Sequence, residues 1–432
     1  MNTLVAGLGQ SGTAAAALLV RESRPFDTFD DRMRPDQAQS AVNGAAQDHF
    51  TDVSTLDWSR YDRVVVSPGL SIHHPLIVAA QAAEVPILSE LELAFRHQKG
   101  TVVAVTGSNG KSTTVSLIDH LLRENGLKSR LCGNIGVAFA RVVDEDPEAV
   151  YVVEVSSFQL EHVDRFRPRI GVLLNVAADH LDRHGTLARY RDTKLKLFAR
   201  QLPDDLALIS ADLDVSVPGA ARRESLPHAN ACMRDRKLYL ADDWQADAGA
   251  NPTLIGHNLT NALFACRVAR ELGVDGDGAT RALTSFKGLV HRMERVGEHE
   301  GRIWINDSKA TNVHAAQAAV DSMGQPYVLI LGGSDKGGRF DGLNLAQNQP
   351  QYIVAYGETT NKICDDLAVY SPIREHDFDA ACLRAHAVAE PGTAVLLAPA
   401  CASFDQFPNF AARGDRFKEL FHELTRTPPA GA

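Results

Sequence analysis

The sequence predicts an α/β protein of three domains with largely parallel sheets, and three observations support this fold class. At 432 residues the chain is too long for a single hydrophobic core. Short runs of β-branched residues alternate with helical patterns along most of its length, as they do in βαβ units. Two of these runs end in glycine turns that open a helix, at residues 7–12 and 107–110. We place the domains at residues 1–89, 90–288 and 289–432.

The composition argues against two classes of partner. The hydrophobic fraction of 44% and the charged fraction of 23% are typical of a globular protein. The net charge is −10 and no block of basic residues occurs, so we expect neither a nucleic acid nor an anionic membrane as partner. The six cysteines are scattered without close pairs, as reduced thiols are in a cytoplasmic protein. We see no signal peptide and no apolar run long enough to span a bilayer, and therefore expect a cytoplasmic protein.

The first domain has the pattern of a Rossmann-like fold. A strand over residues 3–6 leads into Gly7-Leu8-Gly9-Gln10-Ser11-Gly12, an alanine-rich helix follows, and the next apolar stretch ends just before Asp30. A G-x-G-x-x-G turn with an acid about 20 residues further on is typical of a dinucleotide site. By itself the turn indicates only that a diphosphate can bind at a helix N-terminus, and a purely structural glycine turn stays open. A third strand, residues 63–66, runs into Ser67-Pro68-Gly69.

The second domain contains a loop with the chemistry of a triphosphate site. Its strand stops at Gly107, and the loop continues as Ser108-Asn109-Gly110-Lys111-Ser112-Thr113 where a helix opens. In this layout the loop amides and the helix N-terminus face phosphate oxygens, the lysine adds a positive charge, and the serine hydroxyl can bind Mg²⁺. The usual P-loop has four residues between its glycines and this loop has two, so the match is to a shortened, P-loop ATPase-like loop.

Two further residues of the second domain are candidate metal ligands. Glu154 lies near the end of a predicted buried strand, residues 150–155, where a carboxylate needs a partner such as Mg²⁺. His180 follows a predicted strand over residues 171–176, at the same expected edge of the sheet. A structural carboxylate and a hydrogen-bonded loop histidine are the alternatives.

For three polar residues further along, the residues alone allow a purely structural explanation. Lys194 lies on the basic face of a predicted amphipathic helix, residues 190–198, and a solvated face alone would account for it. Asn258 and Asn261 lie three residues apart where another helix opens, so they project to the same side. Such amides can read a purine edge or cap the helix.

The third domain again alternates strands with helices, which predicts a second Rossmann-like, largely parallel sheet. We expect its strands at residues 302–306, 328–331, 353–356 and 394–398. Polar loops follow them at residues 306–312, 332–337 and 399–405. Three such loops on one edge predict a small-anion site with Thr311, Lys336 and Ser403 as donors.

Four motifs in combination resemble those of the Mur ligases. They are Thr106-Gly107-Ser108-Asn109-Gly110-Lys111-Ser112-Thr113, Glu154-Val155-Ser156-Ser157-Phe158-Gln159-Leu160, Asn306-Asp307-Ser308-Lys309-Ala310-Thr311-Asn312 and Ser403-Phe404-Asp405-Gln406-Phe407. The resemblance covers nearly the whole chain, in order and in three domains. It implies a ligase of cytoplasmic peptidoglycan synthesis, and we expect this ligase to be a monomer. In that reaction ATP phosphorylates the carboxylate of UDP-MurNAc-L-Ala, and the amine of D-glutamate then attacks to give an amide, ADP and phosphate.

The resemblance also implies a role for each matching residue. Contacts to the UDP-linked substrate fall to Gly9, Gln10, Ser11, Asp30, Arg32, Ser67, Pro68, Gly69, Asn134, Ser156 and Gln159. Contacts to ATP fall to Gly107, Ser108, Asn109, Gly110, Lys111, Ser112, Thr113, Asn258, Asn261, Arg292, Asp307 and Lys309. Glutamate would be held by Thr311, Lys336, Ser403 and Phe410. The residues implied in catalysis are Lys111, Glu154, His180, Lys194 and Arg292.

Two of these implied roles change the interpretation made from the residues alone. The first domain would hold a uridine nucleotide rather than NAD, although Gln10, Ser11 and Asp31 depart from the residues expected there. Lys194 would be carbamylated and therefore anionic. One Mg²⁺ would be held by Ser112 and Glu154, and a second by His180 and the carbamylated Lys194.

Three other classes of protein share part of this pattern. Folylpolyglutamate synthase has similar second and third domains, but a nucleotide domain ahead of the phosphate loop argues against it. A nicotinamide-dependent oxidoreductase explains the first domain and leaves the phosphate loop without a role. A non-catalytic nucleotide sensor has no need for Glu154, His180 and Lys194 together.

Overall fold

The computed structural model describes residues 2–144, 146–240, 243–251, 253–335 and 339–426. The chain forms two compact units, the first comprising residues 1–250 and 260–286 and the second residues 251–259 and 287–432. None of the helices among the described residues combines the length and the apolar character that crossing a bilayer requires.

The first sheet of the first unit is parallel throughout, as the Rossmann-like pattern predicts. Its elements are β1 (Asn2–Ala6), α1 (Gln10–Arg21), β2 (Phe26–Phe29), α2 (Pro35–Ala41), β3 (His49–Phe50), β4 (Tyr61–Val66), α3 (Pro75–Ala82), β5 (Ile87–Ser89) and α4 (Glu90–Phe95). The strand order is β3-β2-β1-β4-β5. The order reverses between β1 and β4, so the loops after these two strands flank the crevice where such sheets bind ligands.

The second sheet is also parallel and carries the phosphate loop. Its elements are β6 (Thr101–Thr106), α5 (Lys111–Glu124), β7 (Ser129–Gly133), α6 (Phe139–Val142), β8 (Val150–Glu154), α7 (Ser157–Leu160), β9 (Ile170–Leu173), α8 (Leu181–His184), α9 (Leu187–Leu195), β10 (Leu206–Ser210) and β11 (Arg222–Leu226). The order β11-β10-β9-β6-β8-β7 places β6 between β8 and β9. The carboxyl ends of these three strands therefore carry the phosphate loop, Glu154 and the segment before His180.

An antiparallel sheet that the sequence patterns did not predict completes the first unit. It consists of β12 (Ala231–Arg234), β13 (Lys237–Leu240) and β14 (Trp244–Asp247). Two helices follow, α10 (His257–Glu271) and α11 (Gly276–Ser285). Residues 257–259 of α10 belong to the second unit and the rest of α10 to the first.

The second unit is built on one mixed sheet. Its elements are β15 (Glu294–His299), β16 (Arg302–Asn306), α12 (Val313–Asp321), β17 (Tyr327–Gly332), β18 (Tyr352–Tyr356), α13 (Thr360–Asp366), β19 (Ile373–Arg374), α14 (Phe378–Val388), β20 (Ala394–Leu397) and α15 (Phe410–Arg426). The order is β15-β16-β20-β17-β18-β19, with β15 antiparallel to β16 and the other pairs parallel. The largely parallel sheet predicted here is therefore confirmed, with β15 as an unpredicted antiparallel edge.

Burial explains why the strands of the second sheet could be predicted from the sequence. Residues Val102 to Val105 of β6 are all at most 2% exposed, and a strand covered on both faces reads as a continuous apolar run. Two elements lie three residues away from their predicted bounds, whereas the other predicted strand ends lie within two residues. The strand expected over 171–176 ends at Leu173. The helix expected over 190–198 spans Leu187–Leu195 and continues as a single 3₁₀ turn.

Candidate active site

The phosphate loop is held in shape by hydrogen bonds to the loop after β9. The Asn109 amide donates to Asn175 Oδ1 over 2.8 Å, and Asn175 Nδ2 returns a hydrogen bond to the Asn109 carbonyl over 3.1 Å. Ser108 Oγ donates to the Ala177 carbonyl over 3.1 Å. The loop after β9 therefore clamps the phosphate loop, a role for Asn175 that the sequence patterns did not reveal.

Gly110 shows why the loop needs glycine where α5 begins. Its φ is +82°, and a Cβ there would lie 2.6 Å from Asn261 Oδ1 of the same unit. Asn261, predicted to contact adenine, thus lies directly beside the phosphate loop. Ser112 and Thr113 occupy the first turn of α5 and are nearly buried. The amides of that first turn have no partner within the helix and carry its positive dipole end, which suits an anion.

Two lysine amines converge on one carbonyl of the loop. Lys111 Nζ lies 2.7 Å from the Gly107 carbonyl oxygen and 2.8 Å from that of Ser108. Lys194 Nζ lies 2.8 Å from the same Gly107 oxygen. Lys194 is 1% exposed, so the solvated-face explanation is wrong. Its burial, together with the charge of Lys111, holds the pKa of the Lys194 amine well below its usual range, although Asp179 and Glu154 oppose the shift.

Glu154 ends β8 with one carboxylate oxygen paired and the other not. Asn134 Nδ2 donates to Glu154 Oε1 over 2.7 Å. Glu154 Oε2 is buried and has no hydrogen-bond partner among the described residues. An uncompensated buried carboxylate oxygen is costly unless a cation or proton meets it. Because the oxygen lies at the sheet edge that carries the phosphate loop and the Ser112 hydroxyl, these donors fit a hard cation such as Mg²⁺.

His180 lies among aromatic rings at the N-terminus of α8. It adopts a left-handed conformation with φ +53°, an uncommon state that occurs at functional sites when the surroundings enforce it. Its ring centroid lies 4.8 Å from that of Phe158 and 6.5 Å from that of Tyr190. Lys194 Nζ lies 4.4 Å from the Tyr190 ring centre. Tyr190 therefore lies between the two residues predicted to hold the second cation.

The predicted nucleotide residues of the first sheet meet at its crevice. The Leu8 amide donates to Asp30 Oδ2 over 2.9 Å and the Arg32 amide to Asp30 Oδ1 over 3.0 Å. Ser67 Oγ donates to the Gly7 carbonyl over 2.6 Å. The loops after β1, β2 and β4 are therefore tied together. The Arg32 side chain is 93% exposed, so it is available to a ligand.

The glycine turn of the first sheet has a direct steric reason. A Cβ at Gly12 would lie 1.8 Å from the Gly7 carbonyl oxygen, so any other residue would open the turn. Gly9 is the N-cap of α1, and no side chain caps that helix. Gln10 Nε2 donates to the carbonyl of Gly136, which lies in the loop after β7. Ser11 is partly exposed in the first turn of α1.

Ser156 and Gln159 are accounted for by a capping box at the start of α7. The Ser156 amide donates to Gln159 Oε1 over 3.0 Å, and the Gln159 amide donates to Ser156 Oγ over 3.3 Å. This arrangement satisfies free amides of the short helix. The structure places both residues, like Asn134, at the carboxyl edge of the second sheet, and their substrate contacts stay a prediction.

In the second unit the predicted residues lie on the loop after β16 and beside it. Burial raises the pKa of Asp307 to about 7, although the charge of Arg292 opposes the shift. Lys309 Nζ lies 3.9 Å from the ring centre of Phe410, which joins a predicted ATP residue to a predicted glutamate residue. The Thr311 amide donates to the Lys309 carbonyl over 2.8 Å.

Two other predicted residues of this unit have contrasting surroundings. Ser403 is 1% exposed, and its hydroxyl has no hydrogen-bond partner among the described residues. Such a hydroxyl suits a polar ligand. Asn258 Nδ2 donates to the Thr253 carbonyl over 3.2 Å. Lys336 lies outside the described residues.

Arg413 organises these loops, and no sequence pattern identified it. The side chain is fully buried in α15. Its guanidinium donates to the carbonyls of Ser308 and Cys401 over 2.8 and 3.0 Å, and to Ser308 Oγ over 3.0 Å. It therefore fixes the loop after β16 against the loop after β20. In the sequence, Arg413 gives no sign of this role, which depends on the packing of α15.

Comparison with known proteins assigns the family. The chain matches the Mur ligase MurD-like N-terminal domain over residues 1–89, the Mur ligase middle domain over 105–246 and the Mur ligase glutamate ligase domain over 291–401. It is 35% identical over 455 residues to the UDP-N-acetylmuramoylalanine–D-glutamate ligase of Alkaliphilus metalliredigens, covering 98% of each chain. The protein belongs to the UDP-N-acetylmuramoylalanine–D-glutamate ligase family of the Mur ligases.

Two further similarities agree with the Mur ligase assignment. The UDP-N-acetylmuramoylalanine–D-glutamate ligase of Pelotomaculum thermopropionicum is 36% identical over 453 residues, with 98% of each chain covered. The crystal structure of MurF ligase from Thermotoga maritima in complex with ADP superposes with a TM-score of 0.61 at 16% identity, covering 93% of this chain and 96% of that one. At that identity the superposition shows the fold alone. The three-domain Mur ligase architecture that the sequence predicted is confirmed, and the exact domain boundaries stay a prediction.

Proposed function

We propose that this Mur ligase joins D-glutamate to UDP-MurNAc-L-Ala in an ATP-dependent reaction that proceeds through an acyl phosphate. The observation that carries the proposal is the single sheet edge at which the phosphate loop, the unpaired Glu154 oxygen and the buried Lys194 amine meet. The names of the full-length relatives supply the identity of the substrates. We place the reaction in cytoplasmic peptidoglycan precursor synthesis, and a monomeric enzyme stays our expectation.

The first chemical step brings two anions together. A carboxylate oxygen of the L-alanine attacks the γ-phosphorus of ATP, the bond to the β-γ bridging oxygen breaks, and ADP leaves. The positive charge of Lys111 and the amides at the start of α5 offset the repulsion between carboxylate and phosphates. Two Mg²⁺ ions, when bound, would supply further charge screening; Ser112 and Glu154 would hold one, and His180 and a carbamylated Lys194 the other.

The second step forms the amide. The amine of D-glutamate attacks the acyl carbon, inorganic phosphate leaves, and the amine loses a proton to solvent. Thr311, Lys336, Ser403 and Phe410 are the residues we assign to glutamate. Their proposed contribution is alignment, since holding reactants in line provides effective molarities of roughly 10⁵–10⁸ M. Arg292, Asp307, Asn258, Asn261 and Lys309 are assigned to the nucleotide.

One coupled assay tests the proposed function. Release of phosphate from ATP is measured with UDP-MurNAc-L-Ala or a folate as acceptor, each combined with D-glutamate or L-glutamate and each tested alone. The mass of the product is measured by mass spectrometry. We expect sustained phosphate release only with UDP-MurNAc-L-Ala and D-glutamate together, and a product heavier by one glutamyl residue. Phosphate release that requires a folate and L-glutamate would favour a folylpolyglutamate synthase instead.

Glu154→Gln is expected to lower kcat about 100-fold and to shift the Mg²⁺ requirement about tenfold higher. The amide keeps the shape of the side chain and removes the charge that we assign to the cation. The unfolding temperature should stay within a few degrees, because the lost oxygen has no partner among the described residues. The readout is a Mg²⁺ titration of turnover. Glu148→Gln is the matched control, since Glu148 pairs with Lys128 at the surface. An unchanged titration would remove Glu154 from the cation site.

Ser403→Ala is expected to raise the KM for D-glutamate about tenfold with little effect on the KM for ATP. The hydroxyl is buried without a partner among the described residues, so its removal should not lower the unfolding temperature. Thr393→Val is the control, because Thr393 is equally buried but donates to Gln351 Oε1 over 3.1 Å at the start of β20. We expect that variant to lose stability and keep its KM. A normal KM for D-glutamate in Ser403→Ala would place the amino acid elsewhere.

A further inference from the structure

Arg183 of α8 has no place in the proposed chemistry, yet its guanidinium is among the most fully bonded in the first unit. The side chain is 12% exposed. Nη1 donates to the Pro68 carbonyl over 2.8 Å, and Nη2 donates to the Leu70 carbonyl over 2.7 Å. Both carbonyls belong to the loop after β4, which contains Ser67-Pro68-Gly69. One side chain of α8 therefore holds the loop that we assign to the nucleotide.

The guanidinium of Arg183 is also bonded to Glu161, on the side of α7. Nε donates to Glu161 Oε1 over 3.0 Å, and Nη2 also donates to Glu161 Oε2. Glu161 directly follows α7, the helix whose capping box contains Ser156 and Gln159, and its side chain is 8% exposed. This fork-to-fork pair fixes the orientation of the guanidinium plane, which a single-point contact cannot do.

The face of the guanidinium extends the connection to His180. The Arg183 Cζ atom lies 4.3 Å from the ring centre of Phe158. The same ring lies 4.8 Å from that of His180, the residue we assign to the second cation. A continuous line of contacts thus runs from the loop after β4, through Arg183 and Phe158, to His180. Only a planar group with donors on several edges can make all of these contacts together.

We infer that Arg183 is a positioning residue that sets the distance between the nucleotide anchor and the reacting end of the UDP-linked substrate. The inference rests on the proposed function. The loop after β4 would hold the nucleotide, whereas α7 and His180 would face the MurNAc-peptide and its carboxylate. We assign Arg183 no contact with the substrate itself; it contacts both binding surfaces and holds them in register. A substrate that spans both ends depends on that register, and a ligand that occupies only the nucleotide end does not.

The test compares a ligand that spans the two ends with one that does not. In Arg183→Lys the charge is kept and the planar fork is lost. We expect UDP-MurNAc-L-Ala to bind about tenfold more weakly by calorimetry without ATP, and UDP alone to bind within about threefold of the wild type. In turnover, kcat/KM for UDP-MurNAc-L-Ala should fall about 50-fold, while the KM values for ATP and D-glutamate stay within about threefold.

Two further variants keep the result interpretable. Glu161→Gln leaves Arg183 in place and weakens its orientation, so the same selective loss should appear at smaller size. Arg200→Lys is the matched control, because Arg200 also ties a loop through a carbonyl and a carboxylate, both of Asp164, without reaching the loop after β4. Equal weakening of the binding of UDP and of UDP-MurNAc-L-Ala would overturn the inference and leave Arg183 with a local structural role. Unchanged affinity for UDP-MurNAc-L-Ala would overturn it as well. A wild type that fails to bind UDP-MurNAc-L-Ala would instead overturn the proposed function.

Discussion

Lys111→Ala is expected to lower kcat at least about 10³-fold, equivalent to about 4 kcal/mol of transition-state stabilisation. The Lys111 amine provides a charge that the proposed reaction needs most when the carboxylate approaches the γ-phosphate. In the structure this amine is held by the carbonyls of Gly107 and Ser108. The loop therefore holds the Lys111 amine close to where the phosphates are expected to bind.

The same variant should stay folded, which separates a chemical loss from a structural one. The loop keeps its clamp to Asn175, and removal of Lys111 also removes a positive charge beside Lys194. We expect the unfolding temperature to change by no more than a few degrees. Lys128→Ala is the control, because Lys128 is 58% exposed and pairs with Glu148 at the surface, where an ion pair adds little to stability. Turnover near the wild-type rate in Lys111→Ala would refute the phosphate-loop assignment.

The sequence best predicted the site residues that are adjacent in the chain and belong to a single strand-loop-helix unit. The phosphate loop needs glycine, lysine and hydroxyl residues at fixed places between a strand and a helix, and all of them are adjacent in the chain. The buried strand that ends at Glu154 was readable for the same reason, since a parallel strand covered on both faces is apolar along its length. These features predicted which residues lie at the carboxyl edge of the second sheet.

Features that depend on distant packing could not be predicted from the residues. A helical pattern with basic residues indicates an exposed face, whereas Lys194 is buried because α9 lies against the phosphate loop. Arg183 and Arg413 resemble surface arginines in the sequence, and their roles depend on carbonyls contributed by loops of other strands. The short antiparallel strands β12 to β14 lack the continuous apolar run that marked the parallel ones. The resemblance to a family was needed to assign a role to Lys194.

Lys194→Ala is expected to lower kcat about 10²–10³-fold, because the proposed second cation loses an anionic ligand. The structure supplies a reason why this lysine can become anionic. Burial and Lys111 hold the pKa of its amine well below the usual range, so the amine is neutral at a pH where an exposed lysine is protonated. A neutral amine attacks the carbon of CO₂; a nitrogen–carbon bond forms, a proton leaves to solvent, and the product is a carbamate.

Three measurements test the carbamate on the intact enzyme. Wild-type turnover should fall in CO₂-depleted buffer and recover when bicarbonate is added. A carbamate resonance should appear in the ¹³C spectrum after incubation with labelled bicarbonate, and it should be missing from Lys194→Ala. Chloride or another small anion should restore part of the activity of that variant by entering the vacated space.

A surface lysine provides the matched control for the labelling. The Lys128 amine is exposed, and its pKa is raised by Glu148 and Asp146, so it stays protonated and Lys128→Ala should leave the resonance unchanged. Full wild-type turnover with no labelled carbamate would refute the modification. It would leave the ligase assignment standing, because that assignment depends on the phosphate loop and on the full-length relatives. The lowered pKa of the Lys194 amine beside the Gly107 carbonyl would then be explained by its burial together with the nearby charge of Lys111.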